Sequence, residues 1–422
     1  MIGGGPSGLW ALDAVTREKN RSCLLLEKHR LGSDQAEHAE WFLHRGAVFR
    51  AMAKDRTPYV SRLKEGVVGW NRLVGKPAPM HCVGAESTVF WLDDNRILWS
   101  LWCEELDDRD KTHEVRKLAP IGATDANVDD VQWSGYAGSS VAFSTNEQSA
   151  RQSPLLTQLK LEHSNKLLSC LTFQVVRKEN SNRVHSIIVD GQYEIEAGVI
   201  VVASGSENDG ILKDEFGCYP PSDMESHHSM LDGLILSIFD STCSLRMFNS
   251  FAAKNELMVV CRKCPQGHHW LISGAGSWGT KENPVFGHEK QAKWVPTIWA
   301  HLLEQFPVIR EFRENLSYRV VKGRLVQPAF LRDKPGVSNV YSPAEMENLV
   351  AVFPQRLSCA PAFGMDVADK VETILTTINW GKCDQPDHLP VNDLEIAVSS
   401  YEKDPGTRNT WNDFRNEYEL PD

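Results

Sequence analysis

Met1-Ile2-Gly3-Gly4-Gly5-Pro6-Ser7-Gly8 opens the chain, and its reading decides the rest. Gly3, Gly5 and Gly8 stand in the spacing G-x-G-x-x-G, and Leu9-Trp10-Ala11-Leu12-Asp13-Ala14 behind them has the composition of a helix. In a strand–turn–helix unit each glycine has a mechanical task. The first permits the tight turn, the second lets a pyrophosphate approach the backbone, and the third lets the helix pack against the strand. Amides at the helix N-terminus then face the phosphate charge. The spacing alone is a weak signal, so the following residues have to support it. Cys23-Leu24-Leu25-Leu26-Glu27 is a short apolar run ending in a carboxylate 19 residues past Gly8. That is where the second strand of a dinucleotide fold places an acid to accept from an adenosine ribose hydroxyl. The candidate contacts from this block are Gly3, Gly5, Pro6, Ser7, Gly8, Glu27 and Lys28.

Only Met1 and Ile2 precede the first glycine, where a whole apolar strand is usual. Two readings stay open. Either the start codon is misassigned, or the central parallel strand is clipped and loses ladder hydrogen bonds and apolar cover, weakening the site.

A length of 422 residues suits two or three domains. A hydrophobic share of 41% and a charged share of 24% belong to an ordinary globular chain. No apolar run reaches the roughly 20 residues of a membrane helix, and no cleavable leader is visible. The ten cysteines are scattered, which favours reduced thiols and a cytoplasmic location. Of the net charge of −11, the stretch 381–422 carries −6, from ten acids against four bases. With no basic excess, nucleic acid is not an expected partner, and neither is a membrane.

Further along, residues 59–74 show apolar positions at helical spacing, 104–117 reads as a charged helix face or loop, and 127–152 reads as loops between domains. From Cys170 a hairpin block runs through Leu171–Val176, His185–Val189, the turn Asp190-Gly191, and Tyr193–Glu196. It closes on Gly198-Val199-Ile200-Val201-Val202-Ala203-Ser204-Gly205, a buried parallel strand whose small terminal residues admit a close neighbour. Near the C-terminus, Asn348–Phe353 reads as a strand, followed by a small-residue loop and a helix from Ala362. Cys261-Arg262-Lys263-Cys264 with His268-His269 offers zinc-ligand types, but the pair stands alone and a hairpin turn with reduced thiols is the preferred reading. The tail, with Trp411, Phe414 and Tyr418, reads as an ordinary flexible extension, docking on the body or on a partner being the alternative.

Taken in order, these blocks resemble the D-amino-acid oxidase-like superfamily of FAD-dependent oxidoreductases, which includes glycine and sarcosine oxidase relatives. Gly3, Gly5, Gly8 and Glu27 match its ADP-binding motif. Val175 and Val176 fall where its backbone contacts adenine, Ala203-Ser204-Gly205 match its A-x-G turn, and His44-Arg45-Gly46 sits near its loop beside the flavin. Leu357–Gly364 is similar to its flavin-ring loop, with Ala360, Pro361 and Gly364 as candidate contacts, although Gln355, Arg356 and Ser358 replace glycines there. Gly323–Pro328 resembles its G-L-R-P segment one residue out of register, which makes Arg324 the candidate for a substrate carboxylate, by bidentate pairing.

The resemblance implies an α/β fold. A discontinuous Rossmann-like FAD-binding domain (GR2-type) would comprise 1–50, 151–215 and 331–380. A discontinuous α+β substrate or cap domain on a mixed or antiparallel sheet would comprise 51–150 and 216–330, leaving 381–422 as an acidic tail. It also implies FAD as cofactor, and hydride transfer from a small amine, amino acid or 2-hydroxy acid to flavin N5. Molecular oxygen or another acceptor would take the electrons. Arg324 and His44 are the candidate catalytic residues, and Lys281 or Lys322 could supply a cation for the oxygen step, although a solvated surface residue is the preferred reading of each. His44 and Cys359 are candidates for covalent attachment, with noncovalent binding expected because neither lies in a recognisable attachment motif. No metal is expected. Two alternatives stay open. One is a flavin monooxygenase, which normally carries a G-D motif where Phe353-Pro354-Gln355-Arg356 stands; the other is a degenerate FAD-fold interaction protein.

Overall fold

The computed structural model describes residues 1–39, 42–43, 57–74, 88–92, 115–117, 141–145, 148–149, 152–220, 228–242, 249–252, 256–264, 267–274, 276–279, 285, 288–307, 309–328, 339–353, 356–380, 394–398 and 408–420. Its helices are α1 (Pro6–Arg17), α2 (Thr57–Val74), α3 (Gln152–Glu162), α4 (Asn208–Asp214), α5 (His288–Gln305), α6 (Ile309–Phe312), α7 (Ala360–Thr377) and α8 (Trp411–Tyr418). The strands of the first half are β1 (Leu25–Glu27), β2 (Phe42–Leu43), β3 (Thr88–Leu92), β4 (Val115–Lys117), β5 (Val141–Thr145), β6 (Gln148–Ser149), β7 (Leu167–Ser169), β8 (Phe173–Arg177), β9 (Val184–Val189), β10 (Tyr193–Glu196) and β11 (Ile200–Val202). Those of the second half are β12 (His228–Asp240), β13 (Asn249–Ala252), β14 (Leu257–Cys264), β15 (Gly267–Ser273), β16 (Trp278–Gly279), β17 (Leu316–Pro328), β18 (Val340–Tyr341) and β19 (Leu349–Val352).

A parallel sheet forms the frame of the glycine turn. Its order is β7–β1–Ile2–β11–β19, with β18 antiparallel on the β19 edge. The short first strand does not interrupt it. Ile2 N donates to Val201 O at 2.8 Å and Ala203 N to Ile2 O at 2.8 Å, while Leu26 N donates to Met1 O at 2.7 Å and Gly3 N to Leu26 O at 2.9 Å. One residue thus pairs on both sides.

Alternation along these strands feeds two apolar layers, as a parallel sheet covered on both faces requires. Val201, Val350 and Val352 pack with Ala11, Ala14 and Val15 of α1 and Val367 and Val371 of α7. Val202, Leu349 and Ala351 face the other way, onto Ile187 and Val189 of the β10–β9–β8 sheet and onto Leu212 and Phe216. That small sheet turns at Asp190 (φ 50°) and Gly191 (φ 66°), a pair with the positive φ that a tight hairpin needs.

The second sheet runs β16–β12–β15–β14–β13–β3–β5–β4, with β17 pairing β12 over the whole length of both strands. On one face it buries Trp270 and Tyr318 against α5, which contributes Trp299 and carries Pro296 in its interior, and against α8. The other face carries Ile235, Val260 and Leu271, which pack with Phe42.

Several sequence expectations are corrected. The 127–152 stretch contributes β5 and β6, and the end of the charged 104–117 segment is β4. Cys261-Arg262-Lys263-Cys264 is no turn. It completes β14, and Cys261 lies in the aromatic core because alternation points it there. Helix α2, expected in the cap, packs on the nucleotide-side layers, with Trp70 edge-on to Trp10 at 5.1 Å. The reason is steric. A Cβ on Gly66 would sit 1.8 Å from Ser358 O and one on Gly69 would sit 2.3 Å from Pro361 Cβ, so α2 fits only because it lacks side chains there. The tail is not simply a flexible extension: α8 is fixed by a Thr410–Asp413 capping box and buries Trp411, Phe414 and Tyr418.

Candidate functional site

Parallel strands end together, and the carboxyl ends of β1, Ile2, β11 and β19 present Glu27, the glycine turn, Ala203–Gly205 and Phe353 along one edge. Ligands of open α/β sheets bind outside that edge. The glycines divide into two kinds. A Cβ on Gly3 (φ +107°) would lie 2.5 Å from Ala203 O, and one on Gly8 would lie 1.9 Å from Gly3 O, so these two make the close packing possible. Gly5 and Gly205 (φ +62°) have no atom within 4 Å of their Cβ positions, so bare backbone faces open space on both loops. The first bond inside α1 is Leu9 N to Gly5 O at 3.0 Å, and Gly5 offers no side-chain cap, so the amides of Ser7 and Gly8 lie outside the helix ladder. Bare backbone beside helix-terminal amides is a cradle for a phosphate group.

Glu27 is buried and does two things. Its Oε2 accepts from Gly4 N at 2.5 Å and its Oε1 from His29 N at 2.8 Å, which pins the glycine turn to β1. A carboxylate has about four acceptor positions, so capacity remains for ribose hydroxyls. Opposite it, Asn208 is a residue that sequence reasoning missed. Its Oδ1 accepts from Ser204 N at 2.7 Å and its Nδ2 donates to Val352 O at 2.7 Å, tying the ends of β11 and β19. Ser206 Oγ donates to Asp34 Oδ2 at 2.8 Å and joins the loop after β11 to the loop after β1. The signal available in sequence was a polar residue opening a helix directly after a buried strand, and it gave no partner.

The second helix start at this edge is α7, with Cys359 at its N-cap position and Pro361 in its first turn. Gly364 passes so close to α1 that a Cβ would lie 2.6 Å from Trp10 O. Ser358 Oγ donates to Phe42 O at 3.2 Å and Trp70 Nε1 to Leu357 O at 3.0 Å, so the loop before α7 is held by β2 and α2. Cys359 is buried against Leu63 and Phe363.

Val175 and Val176 lie on β8, the outer strand of its three-stranded sheet, with a register shift after Val176. Arg324 stands on β17 opposite Asp232. Lys28 and Lys322 are exposed, and His44 and Lys281 lie outside the described residues. The structure therefore brings together Gly3, Gly5, Pro6, Ser7, Gly8, Glu27, Ala203 and Gly205, with Ala360, Pro361 and Gly364 on the helix that packs against α1.

Beneath the site, Asp13 is the centre of a buried ion network. Arg72 Nη2 reaches Asp13 Oδ2 at 2.9 Å, Arg72 Nη1 reaches Glu162 Oε2 at 2.9 Å, and His163 Nε2 lies 3.1 Å from Asp13 Oδ1. Burial pushes the Asp13 carboxyl up, but the His163 hydrogen bond and the Arg72 and Arg17 charges outweigh it and hold Asp13 below the usual range. Asp13, Glu162 and His163 have metal-ligand types in mutual reach. The Arg72 guanidinium already supplies the cation between the two carboxylates, so the group serves as a fastening of α1, α2 and α3. Among the described residues, no helix is long and apolar enough to cross a membrane.

No family model matches the chain, and no curated protein matches it. Solved structures do. An FAD-dependent oxidoreductase from Pseudomonas aeruginosa superposes with a TM-score of 0.65 at 16% identity, covering 95% of this chain and 96% of that one. Glycine oxidase from Bacillus cereus gives 0.61 at 13% identity, over 92% and 98%. L-proline dehydrogenase from P. horikoshii gives 0.61 at 15% identity, over 94% and 96%. The chain has the mixed α/β fold of these three structures, over nearly its whole length.

Proposed function

We propose that this protein is an FAD-dependent oxidoreductase that oxidises a small amine, amino acid or 2-hydroxy acid. The observation that carries the reading is the pair of open glycine backbones, Gly5 and Gly205, set by the packed Gly3 and Gly8 at the carboxyl edge of a parallel sheet. The likeness to solved FAD-dependent oxidoreductases supports it.

In this reading the pyrophosphate lies on Gly3–Gly8 with the amides of Ser7 and Gly8 toward it, Glu27 accepts from ribose, and Lys28 lies alongside. Val175 and Val176 present main chain to adenine, and Ala203 and Gly205 line the middle of the cofactor. Ala360, Pro361 and Gly364 bring the start of α7 to the ring, where its amides favour negative charge. When bound, FAD supplies the acceptor for a hydride leaving the substrate carbon. This chain's task is to hold that carbon in place and to exclude water. Arg324 would orient a substrate carboxylate by a two-point pairing, and His44 would lie beside the ring. The FAD-binding domain is read as 1–50, 151–215 and 331–380 with α2 added, and the substrate domain as the second sheet with α5 and α8.

An absorbance spectrum of the purified chain, before and after acid precipitation, tests the reading. Flavin bands that move to the supernatant support noncovalent FAD, and colour kept in the pellet supports covalent attachment. A chain that stays colourless after incubation with FAD overturns the proposal in favour of a degenerate scaffold. Oxygen uptake that requires a reduced nicotinamide would move it to a monooxygenase.

A further inference from the structure

Among the described residues, the C-terminal segment touches both large sheets' layers, and residues 394–397 lie against Leu31, behind the glycine turn. Ile396 pairs in parallel with Leu31, with Leu31 N donating to Glu395 O at 2.9 Å and Ala397 N donating to Leu31 O at 2.8 Å. Leu31 and Ala397 are fully buried, and Leu394 packs into the cluster of Leu9, Trp10, Leu25 and Leu31. The next residue, Gly32, donates from its N to Gly4 O at 3.0 Å, and Gly4 N in turn donates to Glu27 at 2.5 Å. A Cβ on Gly4 would lie 2.6 Å from Leu31 Cδ2, so the Leu31 side chain backs the turn directly. An unbroken run of main-chain bonds leads from residues 395–397 through Leu31 and Gly32 to the glycines. Further on, the Arg408 guanidinium lies 3.6 Å from the Phe239 ring centre, and Asn409 exchanges two hydrogen bonds of 3.0 Å with Tyr318. From there the chain enters α8 and the aromatic core of the second sheet.

We propose that residues 394–397 form a positioning strap for the cofactor turn, so that strap docking and FAD binding strengthen one another; this rests on the FAD reading above. Gly4 sits between two partners, the Glu27 carboxylate on one side and Gly32 on the other. The strap holds Leu31 and Gly32 where Gly4 needs them. If one arrangement of the turn is favoured by both the strap and the cofactor, each must raise the affinity of the other by the same factor.

Hydrogen exchange on the intact chain, with and without saturating FAD, tests the strap. The amides of Leu31 and Ala397 should exchange about tenfold more slowly with FAD bound, within the usual range of coupling between sites. A second measurement titrates FAD into Ala397→Pro, which loses the N–H that donates to Leu31 O, and into Ala397→Gly, which keeps it. The proline variant should bind FAD about tenfold more weakly and the glycine variant close to the unmodified chain, as reciprocal coupling demands. Asn416→Ala, at an exposed position on α8 outside the strap, should bind FAD unchanged. Should the proline variant fail to fold, the exchange measurement decides alone. FAD bound, with Gly4 and Gly32 slowed and residues 394–397 unaffected, overturns the strap and leaves the proposed function standing. An intact chain that takes up no FAD overturns both.

Discussion

Gly5 and Gly8 are three residues apart and differ in what a methyl group would meet. At Gly8 it would strike Gly3 O at 1.9 Å, whereas at Gly5 it meets nothing within 4 Å. Gly8→Ala is therefore expected to damage the fold itself. Gly5→Ala should cost the apo protein about 1 kcal/mol or less, the scale of a glycine-to-alanine change at a helix cap, while weakening FAD at least tenfold. Thermal melts of the apo chains beside a flavin-fluorescence titration separate the two effects. Equal loss of stability in both variants would remove the distinction drawn between packing and cradle. Asp13 provides a second test at this scale. Replacing it by Ala removes the buried partner that Arg72 and His163 share and should cost about 3–5 kcal/mol. Its depressed pKa adds stability that is fully present above the unfolded-state value of about 3.9 and is lost as pH falls through the folded value. Acid titration of unfolding should show a steeper loss below about pH 4 in the unmodified chain than in Asp13→Asn.

At the scale of elements, the legible parts were those with local chemistry. G-x-G-x-x-G, the acid closing β1, the Asp190-Gly191 hairpin and the apolar β11 run all announce themselves, because turn glycines and buried strands leave short-range marks. Helix α2 could be read as a helix but not assigned to its layer, since Gly66 and Gly69 gain meaning only from Ser358 and Pro361, nearly 300 residues away. Cys261 misled for the same reason, as a C-x-x-C spacing does not reveal that alternation sends the first thiol into the aromatic core. Asn208 was invisible because its two partners, Ser204 and Val352, meet only after β11 and β19 pair. Helix α8 hid behind an acidic composition. Its Phe414 stacks on Tyr318 at 4.7 Å, and Phe414→Ala should cost about 3–5 kcal/mol. Differential scanning calorimetry with near-ultraviolet circular dichroism measures that loss; a change below about 1 kcal/mol, ordinary for surface positions, would mean that α8 is peripheral.

For the whole molecule, the strand order β7–β1–Ile2–β11–β19 has a consequence for how the protein is made. Ile2 leaves the ribosome about 200 residues ahead of its partner Val202 and nearly 350 ahead of Leu349–Val352, which pair with β11. At about 5–20 residues per second, the earliest residues wait roughly 20–70 s for the last strand of their own sheet. During that interval Ile2, Leu25, Leu26 and Ile200–Val202, all destined for burial, are without their full cover. A ribosome stalled anywhere between β11 and β19 holds a nascent chain in which every glycine of the cofactor turn is already present and the sheet that shapes it is still incomplete.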